Sequence, residues 1–375
     1  MPGKIPLFKI GWDEADVTSV NEVIRAGSHW STGENIARFE SRIRKFLNVK
    51  FCVVFNSGTS ALNALMSAYG LQKGDEVLVP SFTFISTVTA PLFVGAKPVF
   101  VDIEEESLGM DPMDLARKIN SRTRAVIAVH YGGIPCLIAD IRKLADKHGL
   151  TLIEDAAGAF GSTLGKKKLG TFGDSAVFSF CQNKVISTGE GGCAVTRSRR
   201  IYEDLLAIRS HGHRSRESGK EDLYFGFNFR MSNLNAALGI SQIQKIATHI
   251  RLRKKVATGM MARLKDIPAI HFPENLKNPG NTFQLFPMLV GGSLRDPLMH
   301  FLARKGVATK PYFSPIHFSP FFQRKKANRN GSLKVTEAVA QEVLCLPIYP
   351  TMTETEMDYV SHTIHRFFET RAGAA

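Results

Sequence analysis

From about residue 50 the chain alternates short apolar runs, rich in β-branched and aromatic residues, with amphipathic stretches of helical period. FCVVF (51–55) meets the turn NSGT and then the helical ALNALMSAYGL; EVLVP (76–80) follows a Gly-Asp turn, and KPVFVDI (97–103) follows another apolar helix. RAVIAVH (124–130), TLIEDA (151–156), SAVFSF (175–180) and CAVT (193–196) continue the series. Strands this uniformly apolar must be covered on both faces, which predicts a mostly parallel central sheet flanked by helices. The segment 233–264 reads as one long amphipathic helix that hands the chain to a second unit. There FQLFPMLV (283–290) and VATKPYF (307–313) are expected as strands and DPLMHFLARKG as a helix closed by its glycine. The last helix opens on a capping box, Thr353 with Glu356, and repeats Met357, Val360, Ile364 and Phe367 at helical spacing. The expected division is a large domain over residues 1–246 and a smaller α+β domain over 247–375, with polar loops at 213–224 and 323–334.

Composition narrows the class. With 44% hydrophobic and 22% charged residues, the chain has the make-up of a folded globular protein rather than of a disordered or fibrous one. Its formal charge of +14 suits nucleic acid, and equally an enzyme whose substrates carry phosphates. The basic runs RKK (253–255) and RKKANR (324–329) lack interleaved aromatics, so no nucleic-acid partner is expected. The five cysteines, Cys52, Cys136, Cys181, Cys193 and Cys345, form no CxxC pair, which fits reduced thiols in the cytoplasm. No signal-peptide core and no run of membrane-spanning length is present, so a cytoplasmic protein without a membrane partner is the expectation. His211, His213, His362 and His365 lack companion ligands at zinc spacing, and no metal is expected. There is no GxSxG, Walker A or GxGxxG motif.

Four constellations carry candidate chemistry. NSGTSAL (56–62) lies between a buried strand and a helix, where free backbone N–H groups and the helix dipole favour an anion; a merely well-capped turn would look the same. IEDAAG (153–158) sets acids at the carboxyl end of a buried strand, the edge where open α/β sheets hold ligands. Asp155 could there hold a proton on a ring nitrogen, coordinate a metal, act as a base, or cap a helix. SFCQNKVISTGEGG (179–192) isolates Lys184 among serine, phenylalanine and small residues; an amine partly desolvated there loses its proton more easily and becomes a nucleophile for carbonyls. GFNFRMSN (226–233) opens the long helix and has the alternative of ordinary aromatic packing.

An anion cup, an acid at a strand end, a carbonyl-trapping lysine and a distant Asn-Arg run are together the parts needed for pyridoxal phosphate. In order and spacing they resemble the DegT/DnrJ/EryC1/StrS aminotransferases, and the similarity runs nearly end to end. It includes SHWSTGENIARFE (28–40), NSGTSAL, VPSFTFISTVTA (79–90), VDIEEESLGMDP (101–112), VHYGGIP (129–135) and EDAAGAFGS. It continues through FGDSAVFSFCQNK, TGEGG, IRSHGHR (208–214), GFNFRMSNLNAALG and LPIYPTMTETE (346–356). The resemblance implies a fold type I, aspartate-aminotransferase-like architecture. Lys184 matches the lysine that forms the Schiff base and shuttles the proton, and Asp155 the carboxylate that keeps the pyridine nitrogen protonated. Gly58 and Thr59 match the phosphate cup, Ser179 a serine that adds a hydroxyl to it, and Phe84 an aromatic stacked on the ring. Asn228 matches an asparagine that reaches the phosphate of the neighbouring subunit, which implies a homodimer with shared sites. Trp30, Ser31 and Arg230 fall in segments that line the substrate side. Gly158 stands where the family usually has Gln or His against the cofactor, and HYGGIP, with His130 and Tyr131, departs from the usual version.

The function so implied is transfer of an amino group, with L-glutamate as the expected donor, to a keto group of a nucleotide-activated sugar. Pyridoxamine phosphate would be the intermediate form, and amino-sugar or polysaccharide biosynthesis the setting. A keto-cyclitol acceptor is a near rival, and a non-catalytic regulatory homologue that binds the cofactor or an amino sugar is a further alternative. The sugar dehydratase branch replaces the lysine with histidine, so Lys184 counts against it.

Overall fold

A computed structural model describes residues 4–213, 225–324 and 332–372; the charged stretches 214–224 and 325–331, within the loops expected at 213–224 and 323–334, lie outside the described residues. Seven strands form the central sheet: β1 (Phe51–Phe55), β2 (Glu76–Pro80), β3 (Lys97–Val101), β4 (Thr123–Val129), β5 (Thr151–Asp155), and, after the two-residue hairpin β6 (Thr163–Leu164) and β7 (Lys167–Lys168), β8 (Ser175–Ser179) and β9 (Gly192–Thr196). Their order is β1-β9-β8-β5-β4-β2-β3. β3, β2, β4, β5 and β8 run parallel, and β9 is antiparallel to both of its neighbours, β1 and β8. All five residues of β2 and of β8 are buried, as the apolar runs require, and helices cover both faces.

The reversal at β9 decides which residues meet at the sheet edge. It brings Gly192, the first residue of β9, level with Phe55 and Ser179, the last residues of β1 and β8. The ends of β1, β4, β5 and β8 and the start of β9 therefore share one edge of the sheet.

The second sheet is antiparallel and small: β10 (Ile270–His271), β11 (Pro287–Val290) and β12 (Val343–Cys345), in that order. Its core draws in Ile5, Phe82, Tyr131 and Ile134 from the first half of the chain. Ile5 donates to the Gly306 carbonyl (2.8 Å) and accepts from Ala308 N (2.9 Å), so the N-terminal segment lies along this layer.

Three local expectations differ from what forms. The helix expected over 233–264 is two, Asn233–Gln244 and Ile246–Leu264, with the break at Lys245. The Lys245 ammonium is drawn to Asp13 (2.6 Å), the N-cap of the helix Glu14–Arg25, and to Asp16 (2.5 Å) within it, which fixes the junction. VATKPYF makes isolated bridges only, Val307 to Ile5 and Lys310 to Cys345, because Pro311 has no N–H with which to extend the ladder. In FQLFPMLV only Pro287–Val290 is strand; Phe283 takes a φ of 52° and the chain before β11 turns toward the first sheet. The capping box forms as expected, with Thr353 Oγ1 accepting from Glu356 N (3.1 Å) and Glu356 Oε2 accepting from Thr353 N (2.8 Å). Met357, Val360, Ile364 and Phe367 are buried behind it.

Strand alternation separates the two acids of IEDAAG. Glu154 is fully buried, and its carboxylate accepts from Gly170 N (2.8 Å), Phe172 N (2.6 Å) and Gly173 N (2.6 Å) and faces His130 Nε2 at 2.9 Å. It pins the 170–173 turn to the sheet. Cys136 N points at His130 Nδ1 (3.3 Å), which makes Nδ1 the acceptor and leaves the Nε2 proton for Glu154. Glu154→Gln would aim an amide N–H at backbone donors. It is expected to cost about 3 kcal/mol and to lower the melting temperature by roughly 5 °C; a thermal scan that moves by less than a degree contradicts this role for the carboxylate.

Candidate active site

The site is built on the edge where β1, β4, β5 and β8 end and β9 begins. The NSGT turn leaves β1 and becomes the Gly58–Ala68 helix, whose N-cap is Ser57, with its Oγ accepting from Ser60 N at 3.0 Å. Gly192 lies directly beneath: a Cβ there would sit 2.6 Å from the Ser57 carbonyl carbon and 2.7 Å from Gly58 Cα. A Cβ on Gly58 would in turn meet Ser179 Cβ at 3.2 Å. The glycine-rich turn after the lysine thus exists to let β9 approach the helix N-terminus, with Ser179 alongside. The result is a cradle at the helix N-terminus carrying two hydroxyls, those of Thr59 and Ser179. Thr59 is exposed and its Oγ1 pairs with Ser86 Oγ at 2.7 Å.

Asp155 ends β5 and is 6% exposed. Its Oδ2 accepts from Thr87 Oγ1 (2.7 Å) and its Oδ1 from Ala157 N (3.1 Å), so both oxygens of the carboxyl group are held in place. Thr87 is fully buried in the Ile85–Phe93 helix and hydrogen-bonds Thr83 Oγ1 at 2.9 Å. Sequence reasoning passed over Thr87, although it lies within the VPSFTFISTVTA motif.

Lys184 follows β8 on a loop closed by its own N–H to the Cys181 carbonyl (3.0 Å). The residue is half-buried. Burial pushes its amine below the ordinary lysine value of 10.5, against the opposing pull of Cys181 and Asp155. Among the described residues no group hydrogen-bonds Nζ. A free, partly desolvated amine near a carboxylate is the arrangement a carbonyl-capturing lysine needs.

Phe84 caps the Ile85–Phe93 helix, is 58% exposed and meets Phe313 edge-on at a centroid distance of 6.3 Å. It is an aromatic surface at the mouth of the site. Asn228 is exposed, with its carbonyl held by Asn56 Nδ2 (3.4 Å) beside the phosphate-cradle turn. Trp30 and Ser31 are exposed and Arg230 is half-buried; the Trp30 carbonyl accepts from Asn233 N (2.9 Å), tying its loop to the start of the next helix. His130 turns away to Glu154. Tyr131 is buried, with its hydroxyl donating to the Tyr312 carbonyl, so HYGG serves packing between the two sheets. Gly158 is half-buried beside Gln284, a residue that the expected strand FQLFPMLV gave no reason to select.

The donor set fits pyridoxal phosphate. The cradle suits a phosphate dianion, the fixed carboxylate suits a protonated ring nitrogen, and the lysine suits an aldehyde.

The comparisons with known proteins agree. Residues 12–365 match the model of the DegT/DnrJ/EryC1/StrS aminotransferase family, and the chain belongs to that family. It is 34% identical over 368 residues to the GDP-perosamine synthase of Vibrio cholerae, covering 97% of this chain and 99% of that one. The structure of Helicobacter pylori PseC, an aminotransferase involved in pseudoaminic acid biosynthesis, superposes with a TM-score of 0.92 at 27% identity, over 98% of this chain and 100% of that one. NtdA of Bacillus subtilis, solved with bound cofactor PMP, gives 0.89 at 27% identity, over 98% and 86%. The protein is an aminotransferase with the fold type I architecture.

The lowered Lys184 value sets a pH dependence. Capture of pyridoxal phosphate by the cofactor-free protein needs the neutral amine, so its rate should rise with pH through a midpoint below 10.5. Stopped-flow absorbance across roughly pH 6–11 checks this, and a rate that climbs only through the ordinary lysine value or higher contradicts it. Gly192→Ala should weaken cofactor binding tenfold or more by pushing the Ser57–Gly58 backbone away, as read by absorbance titration.

Proposed function

We propose that this aminotransferase uses pyridoxal phosphate, cycling through pyridoxamine phosphate, to deliver an amino group to a keto group of a nucleotide-activated sugar, with L-glutamate as donor. The observation that carries the reading is the meeting of three groups at one sheet edge: the helix N-terminus over Gly192, the clamped carboxylate of Asp155, and the free amine of Lys184. Support for the sugar comes from the relatives, of which one is a GDP-perosamine synthase and another acts in pseudoaminic acid biosynthesis. The net charge of +14 suits a substrate bearing a diphosphate.

The cofactor, when bound, supplies an electron sink for the carbon that carries the amine. Every other part is the chain's own. Gly58, Thr59 and Ser179 would hold the phosphate at the helix N-terminus and so anchor the cofactor. Asp155, oriented by Thr87, would hold the proton on the ring nitrogen. Phe84 would stack on the ring and shield it from water. Lys184 would take the proton from the substrate carbon and return it, a role that its lowered basicity favours. Trp30, Ser31 and Arg230 line the substrate side. Asn228, exposed beside its own cradle, would contribute to the cradle of a second copy, so the working unit in this reading is a homodimer with shared sites in the cytoplasm. No helix among the described residues is long and apolar enough to cross a membrane.

The purified protein with pyridoxal phosphate should develop a visible band that bleaches on addition of L-glutamate and returns with a nucleotide-linked keto sugar. Lys184→Ala should lose turnover by roughly 10²–10⁴-fold or more. Full turnover in Lys184→Ala, or a band that glutamate leaves untouched, would overturn the assignment of the lysine or of the donor.

A further inference from the structure

Gly158 and Gln284 stand in an arrangement that the family pattern does not account for. Gln284 is 5% exposed and comes from the segment before β11, yet its carboxamide lies against the strand-end loop that follows Asp155. A Cβ on Gly158 would meet Gln284 Oε1 at 2.8 Å, so a larger residue at 158 would displace the Gln284 carboxamide from its present place. Gln284 Nε2 donates to the carbonyl of Asn183 (3.2 Å), the residue immediately before Lys184. Among the described residues nothing donates to Oε1, and the second Nε2 proton is likewise free. A buried carboxamide with three of its four hydrogen-bonding positions unused is expected to face a polar partner.

The segment that carries Gln284 is built to reach this place. Phe283, in the left-handed region, is held on both sides, its N–H by Asn281 Oδ1 (2.8 Å) and its carbonyl by the buried guanidinium of Arg253 (3.1 Å). Leu285 N donates to the Gly132 carbonyl at 3.1 Å. Gly132 and Gly133 clear the path, since a Cβ on the first would sit 2.8 Å from Leu285 Cβ and on the second 2.8 Å from Thr282 Oγ1. The glycines at 132, 133 and 158 and the glutamine at 284 are parts of one device.

We infer that Gln284 is a positioning residue for the cofactor and its lysine. Its carboxamide occupies the place that a polar side chain at residue 158 would fill, holds the main chain at Asn183, and offers its remaining polar atoms to the pyridoxal ring. The inference rests on the proposed pyridoxal-phosphate chemistry of the same site.

Four variants test it beside the parent: Gln284→Ala, Gln284→Met, Gly158→Gln, and Gly158→Gln with Gln284→Ala. Gln284→Met keeps the volume and removes the polar atoms, so it separates packing from polarity. Three readouts are taken: pyridoxal phosphate affinity by absorbance titration, the pH midpoint of the visible band, and the melting temperature of the cofactor-free protein. Gln284→Ala and Gln284→Met should each weaken binding about tenfold and move the band's midpoint, the Met variant with its melting temperature unchanged. Gly158→Gln alone should bind worse than the parent, and the double variant should bind within about threefold of it, with the band's midpoint restored. Parental affinity and midpoint in Gln284→Met, or a double variant no better than Gln284→Ala, would overturn the inference while leaving the enzyme reading intact. A parent that takes up no cofactor would overturn both.

Discussion

The approach of β9 to the Ser57–Gly58 turn is the contact on which the site depends. Gly192 lies so close beneath that turn that no side chain could be accommodated, and it is level with both Phe55 and Ser179. Because β9 runs against its neighbours, its first residue comes to the edge where the parallel strands end. The helix N-terminus is thereby drawn over that edge, next to a serine hydroxyl and within the same field as Asp155 and Lys184. An anion cradle and a proton-handling pair come to share one small region only because a reversed strand begins with a glycine.

A second economy lies in β5. Consecutive acids on one strand face opposite ways, and here they have different sets of partners. Glu154 takes three backbone N–H groups and His130 and secures the turn; Asp155 takes only Thr87 and Ala157 N, one partner on each oxygen. Exchange of their roles would need a one-residue slip of the whole strand, which the buried apolar face of β5 forbids.

Much of this was legible in the sequence for a physical reason. The cradle, the acid and the lysine each sit where an apolar run of period two gives way to small and polar residues, so strand ends could be located and the motifs placed on them. What escaped depends on contacts between distant stretches. The two helices around Lys245 keep one amphipathic pattern, and only the ion pairs with Asp13 and Asp16 mark the junction. VATKPYF has strand composition, but its partners are single residues at Ile5 and Cys345. Gln284 lies in a run that reads as a core strand, and nothing local announces that it turns back to meet Gly158. The departure at Gly158, read alone, is a lost side chain; with Gln284 in place it is clearance.

The central claim is that Lys184, of all the lysines in the chain, forms the bond to the cofactor. Reduction of the pyridoxal-phosphate-loaded protein with borohydride, followed by proteolysis and mass spectrometry, tests it directly. A single phosphopyridoxyl adduct is predicted on the peptide that contains Lys184, and Lys184→Ala should abolish it. A stoichiometric adduct on any other lysine, or none with the cofactor bound, would contradict the claim.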